Sequence, residues 1–199
     1  MLKHLLLLFI SVLTASYALT AQDFSEKIPK RPLPESLVND MANLLQDPTK
    51  TEALESKLSK LNDSLSIEIF IVTIKSLENV DVNSYAVKLA DRWENEDNKK
   101  NGIFILYDFE DRGYAIIPGK NFKSKFNKTI ITKIEAQYLK PYFKNEKYYE
   151  GFNLAADAVA DHITGKLTDR DLKTDDKYGL YLITIGIFVF FFLFFPIYQ

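Results

Sequence analysis

The chain contains no cysteine. A disulfide framework, thiolate catalysis and cysteine-bound zinc are therefore excluded. Histidine is almost as scarce: of His4 and His162, only His162 lies beyond the first 21 residues. One imidazole is too few for a histidine metal site or a Ser-His triad. A basic excess is missing as well. Setting aside Lys3 in the N-terminal stretch, 24 of the 25 Lys and Arg face 27 Asp and Glu, a net of −3. That balance argues against general nucleic-acid binding. No internal repeat is present.

What the chain does have begins near its ends. MLKHLLLLFISVLTASYALTA puts Lys3 and His4 before an apolar run and small residues after it. That order is the pattern of a secretory signal peptide over 1–21, with cleavage expected after Ala21; an uncleaved anchor is the other reading. Leu180 to Tyr198 carries no charged residue. At about 1.5 Å per residue this stretch spans roughly 28 Å, close to the thickness of a bilayer core. Tyr178, Tyr181 and Tyr198 suit the headgroup level. The expectation is a domain on the extracytoplasmic, periplasmic side of the cell membrane, held there by one C-terminal transmembrane helix, 180–198.

Residues 22–36, with three prolines, read as an extended linker. LVNDMANLL follows as a short lead-in packed on the core. Asp47 and Pro48 make a helix start, and Leu54, Leu58, Leu61 and Leu65 form one apolar stripe behind it. Ile67 to Ile74 is β-branched and nearly apolar on both faces, as a covered central strand is. Val82, Tyr85, Ala86, Leu89 and Trp93 return to helical spacing, and GIFILY is a second buried strand, parallel to the first. A short charged turn, Asp108 to Gly113, predicts an antiparallel return through GYAII, with Gly113 supplying the permissive backbone. One helix with Ile130, Ile134 and Tyr138 then ends near Pro141. A second, with Phe152, Ala155, Ala156, Val159 and Ile163, ends at Gly165. Residues 164–179 read as a flexible stalk. The predicted fold is α/β: a mixed sheet of about four strands, a βαβ unit plus a hairpin, sandwiched between helices over 37–163.

Five stretches in this order and spacing, namely LVNDMANLL, IEIFIVTI, YAVKLADRW, KNGIFILYDFEDRGYAII and YLKPYFKNEKYYEGFNLAADAVADHI, resemble the TPM domain family over about residues 36–163. That family includes thylakoid-lumen photosystem-repair proteins and bacterial envelope proteins. The resemblance implies a mixed α/β sandwich. For function it implies either weak acid phosphatase or divalent-cation chemistry, or a part in the assembly or repair of membrane complexes. The chain departs from the family pattern in places. ENED follows Trp93 where the family has a glycine-containing turn. GKNFKS keeps Gly119 but puts Lys123 where an acid would stand, and Lys128 falls near another often-acidic position. A protonated lysine repels a divalent cation, so these swaps weaken the catalytic and metal readings.

Asp40 matches the family's N-terminal acid. It could be a calcium or magnesium ligand or a nucleophilic carboxylate, or it could simply bond nearby amides in a turn. Asp108, Glu110 and Asp111 could hold a cation and Arg112 could clamp an anion. Equally, the four could be only the wet tip of a hairpin. A metal-assisted phosphatase would need Asp40, Asp108 and Asp111 together. Asp91, Glu94, Glu96 and Asp97 lack EF-hand spacing and read as a solvated loop, with Arg92 and Trp93 packing beneath it. His162 sits where a helix dipole favours a cation. Charge is unevenly spread: residues 76–111 hold nine acids against four bases, and residues 119–147 hold eight Lys against two acids. Lys120, Lys123, Lys125 and Lys128, with Arg112, are the candidate surface for an acidic envelope protein or anionic lipid. The competing reading is the wet side of a helix whose aromatics face inward. No cofactor is expected beyond that possible cation. Binding or accessory function is the preferred expectation, and phosphatase activity the alternative.

Overall fold

The structure, a computed structural model, describes residues 24, 27–96, 101–168 and 171–172. The leader 1–21 and the apolar stretch 180–198 lie outside the described residues. Among the described residues no helix is long and apolar enough to cross a membrane.

Four strands form one sheet in the order β1 (Val38–Asp40), β2 (Glu68–Ile74), β3 (Gly102–Asp108), β4 (Gly113–Pro118). The first three are parallel and β4 is antiparallel to β3; the β2–β3 and β3–β4 pairings are those the covered strands and the short turn predicted, whereas β1 was not expected as a strand. The lead-in stretch supplies the edge strand, with Val38 opposite Ile71 and Asp40 opposite Thr73. Side chains alternate across a strand, so β2 and β3 feed two separate cores. Ile69, Ile71, Ile103, Ile105 and Tyr107 pack under α1 (Pro48–Leu65) and α5 (Tyr148–Ile163). Phe70, Val72, Phe104 and Leu106 pack under α2 (Val82–Glu96), where Trp93 is fully buried between the Phe70 and Phe104 rings. Asp47 caps α1 by accepting from the Thr49 amide, and Pro48 follows it, as the sequence indicates. Helices α1 and α2 lie on opposite faces, yet both crossovers step the same way across the sheet. They must therefore be of opposite hand, and one departs from the usual right-handed rule.

Three local features differ from expectation. The left-handed residue of the hairpin is Arg112 (φ 53°), not Gly113. Gly113 is instead a close-approach position, where a Cβ would lie 3.3 Å from the Val82 side chain. The helix expected to stop before Pro141 runs on: α3 (Lys128–Ile134) opens into a π-helical turn (Glu135–Leu139) and continues as α4 (Lys140–Phe143). Proline has no N–H to give the carbonyl four residues back, and the ladder changes spacing just ahead of it. Lastly, the proline-rich segment is docked where it is described. Ile28 is buried, Trp93 Nε1 donates to the Pro29 carbonyl at 2.9 Å, and Arg92 donates to the Ile28 carbonyl at 2.8 Å. Arg31 pairs with Glu68 at 3.5 Å, both nearly buried, with its guanidinium 4.9 Å from the Phe70 ring centre.

Candidate functional site

The parallel strands β1, β2 and β3 end along one edge with Asp40, Thr73 and Asp108, so the sequence does bring two candidate acids to one end of the sheet. It puts them on opposite faces. Asp40 shares the face of Val38, under α1, and Asp108 shares the face of Leu106, under α2. They are also two strands apart, about 10 Å at the backbone.

Asp40 is fully occupied. It accepts from the Leu44 amide at 3.0 Å and the Leu45 amide at 2.8 Å, and takes a short hydrogen bond from the Thr73 hydroxyl. Thr73 Oγ1 in turn accepts from the Ala42 amide. Left-handed Asn43 and Gln46 complete the tight turn built around this carboxylate. Asp40 thus organises a turn. Asp108 is 1% exposed; its Oδ2 accepts from the Leu77 amide at 3.3 Å, and among the described residues its Oδ1 has no hydrogen-bond partner. Burial raises its pKa, and the Glu110 and Asp111 amides partly offset this. Glu110, Asp111 and Arg112 stand in water at the hairpin tip. Asp40, Asp108 and Asp111 therefore do not form one constellation. Among the described residues no group of three or more His, Asp or Glu could hold a metal ion.

Where the loops after β1 and β2 turn to opposite faces, a crevice of about 220 Å³ opens between Met41, Ile74, Ser76, Leu77 and Tyr85. Such a parting of loops is where open α/β sheets hold ligands. Here its charged groups already answer each other: Lys27 and Glu78 pair across the rim, which lowers the Glu78 pKa.

The acids at the end of α2 behave differently from a solvated loop. Glu96 accepts from the Arg31 amide at 2.8 Å and from Arg92 at 3.1 Å. Glu94 is 4% exposed, its Oε1 has no hydrogen-bond partner among the described residues, and burial raises its pKa. It lies against Gly119, where an added Cβ would come within 1.9 Å of that oxygen. Asp97 is outside the described residues. Glu135, which sequence reasoning passed over, reaches the Ile116 amide of β4 from the π-helical turn; burial pushes its pKa up to about 7.

The basic segment is the other candidate. The loop Gly119–Asn127 and the first residue of α3 expose Lys120, Lys123, Lys125 and Lys128 together. No acid occurs from Gly113 to Ile134. Phe126 and Phe143 are buried and Phe122 and Tyr138 are partly buried in the core, so the aromatics anchor the segment and leave a lysine surface. His162, in the last turn of α5, bridges this loop to the segment after the helix: Nε2 lies 2.9 Å from the Lys125 carbonyl oxygen and Nδ1 3.1 Å from that of Leu167.

A family model described as the TPM domain matches residues 38–162. Three solved structures share the fold. The N-terminal domain of a protein from P. gingivalis is 24% identical, with 72% of this chain and 92% of that one covered and a TM-score of 0.63. The N-terminal domain of cg2496 from Corynebacterium glutamicum is 14% identical (70% and 88% covered, TM-score 0.51). BA42 from Bizionia argentinensis is 17% identical (65% and 87% covered, TM-score 0.52). At these identities the likeness speaks for the fold alone. No curated protein matches.

Proposed function

The chain belongs to the TPM domain family, and from that premise we propose that it is a non-catalytic binding factor, tethered at the outer side of a cell membrane, whose lysine surface docks on an acidic partner during assembly or maintenance of a membrane complex. One contrast carries this reading. Lys120, Lys123, Lys125 and Lys128 are exposed with no acid in the surrounding sequence, whereas Asp40 is consumed by its own turn and Asp108 is buried on the other face. Such a one-signed patch favours encounter with an opposite charge and does so less as salt rises. The tether rests on the leader pattern and the uncharged stretch 180–198. A metal-assisted phosphohydrolase would require Asp40, Asp108 and Asp111 to meet, and nothing in their placement favours it.

The test is charge reversal. Full-length protein carrying Lys123→Glu, Lys125→Glu and Lys128→Glu should lose the membrane proteins that co-purify with the unaltered chain. Retention of every partner at unaltered yield would show that this surface is not the interface.

A further inference from the structure

Both ring nitrogens of His162 face backbone carbonyl oxygens, Nε2 that of Lys125 at 2.9 Å and Nδ1 that of Leu167 at 3.1 Å. A carbonyl oxygen only accepts, so each nitrogen must donate. A neutral imidazole has one N–H and one lone pair and serves one of the two contacts; only the imidazolium serves both. We propose that His162 is a proton-binding site that works as a latch, holding the lysine loop against the end of α5 when charged and releasing one side of the bridge when neutral. This deepens the docking reading by adding regulation to the same surface, and it rests on that reading for its biological meaning.

The surroundings suit a latch. The Phe126 ring meets the imidazole edge-on with centroids 4.9 Å apart, so the ring is held in place. After α5 the chain turns at left-handed Gly165, and the Lys166 and Leu167 amides both donate to the Asp161 carbonyl, which fixes the Leu167 side of the bridge. On the loop side, the backbone bonds that Phe122, Lys125 and Phe126 donate among the described residues are local, to Gly119 and Phe122. With Phe122 and Phe126 anchored in the core, what gives is the backbone turn between them, which carries the Lys125 carbonyl. The charged side chains on the described segments around His162 are Lys120, Lys123 and Lys125 in the loop, Asp161 beside it on its own helix, and Lys166 and Asp171 after the helix. Gain or loss of a single proton on the ring therefore decides whether both carbonyl contacts are made or only one. An acidified compartment would thus present the four lysines as one ordered surface, and a neutral one would loosen them.

Two measurements on the full-length protein in detergent micelles test this. With nitrogen-labelled histidine, NMR at pH 5.5 should show both ring nitrogens of His162 carrying protons; the signal is told from that of His4 by its loss in His162→Gln. A His162 ring with one unprotonated nitrogen at that pH overturns the proposal even if the variant fails to fold. Amide hydrogen exchange, corrected for intrinsic rates, should then show protection of Phe122, Lys125 and Phe126 falling about tenfold from pH 5.5 to pH 8. In His162→Gln it should be low at both. Protection independent of pH in the unaltered chain, or the same step in the variant, refutes the latch. The lysine-reversed protein separates the two readings, because its carbonyl bridge is intact. If it keeps its partners and still shows the exchange step, docking fails and the latch stands; if it loses partners while no step is seen, the latch fails and docking stands.

Discussion

Replacing Glu135 by Gln should stabilise the protein at pH 8 and leave it unchanged near pH 4.5. The side chain is half-buried between the π-helical turn and β4, where the Ile116 amide only partly offsets the loss of water, and its pKa rises from 4.5 to about 7 in the folded state. A carboxyl whose folded pKa lies above its unfolded value contributes fully below the lower value, and the contribution is lost as pH rises through the higher one. The native protein should therefore lose stability between about pH 4.5 and 7 on this account. The full displacement corresponds to about 3 kcal/mol. Solvent reaches part of the side chain and screens it, leaving about 1–2 kcal/mol. Gln cannot ionise, so that amount should return at pH 8, worth about 3–8 °C in Tm for a domain of this size. Thermal unfolding followed by circular dichroism at both pH values reads it as a difference, in which every other titrating group cancels. An offset of the same size at pH 4.5 and pH 8, or a less stable variant at pH 8, refutes the reasoning.

Three further outcomes follow from the packing. Asp40→Asn replaces an oxygen that receives the Leu44 or Leu45 amide by an NH₂ group and should cost about 1–3 kcal/mol in denaturant unfolding; an unaffected midpoint would mean the turn does not depend on Asp40. Gly119→Ala sets a methyl 1.9 Å from Glu94 Oε1 and 2.6 Å from the Gly102 carbonyl, and should lower stability by about 3 kcal/mol. Removing the carboxylate with Glu94→Ala should rescue only part of it, because the carbonyl remains. Trp93→Ala opens the core under α2 and should cost about 3–5 kcal/mol, with faster tryptic cleavage at Lys27 and Lys30 as the docked segment loses its bond at Pro29.

Much of the fold is legible in apolar spacing. Two nearly continuous apolar runs, IEIFIVTI and GIFILY, read as strands covered on both faces, and a helical period between them made them parallel. The side each helix takes is not written in that period, so the opposite hands of the two crossovers had no sequence signal. The π-helical turn was hidden for a simpler reason. Buried positions run Ile130, Ile134, then Leu139, a step of five where a regular helix would have brought Tyr138 inward. That extra residue also swings Glu135 onto β4. Charges near buried structure were the least legible. Glu68 and Glu94 sit in stretches where an acid ordinarily marks the wet face, yet one pairs with Arg31 and the other lies against a glycine that leaves it room. The candidate site divided likewise: the lysine segment and the hairpin tip are readable as exposed charge, whereas the faces taken by Asp40 and Asp108 depend on strand register.

Photo-crosslinking in intact cells tests the central claim most directly. A photoreactive residue at Ser124, between the loop lysines, reports on the lysine surface and leaves its charge intact; one at Met41, 47% exposed at the crevice mouth, reports on the opposite candidate. The account predicts partner adducts from Ser124, diminished by high salt in washed membranes, and none specific to Met41. Adducts from Met41 with none from Ser124 would contradict it.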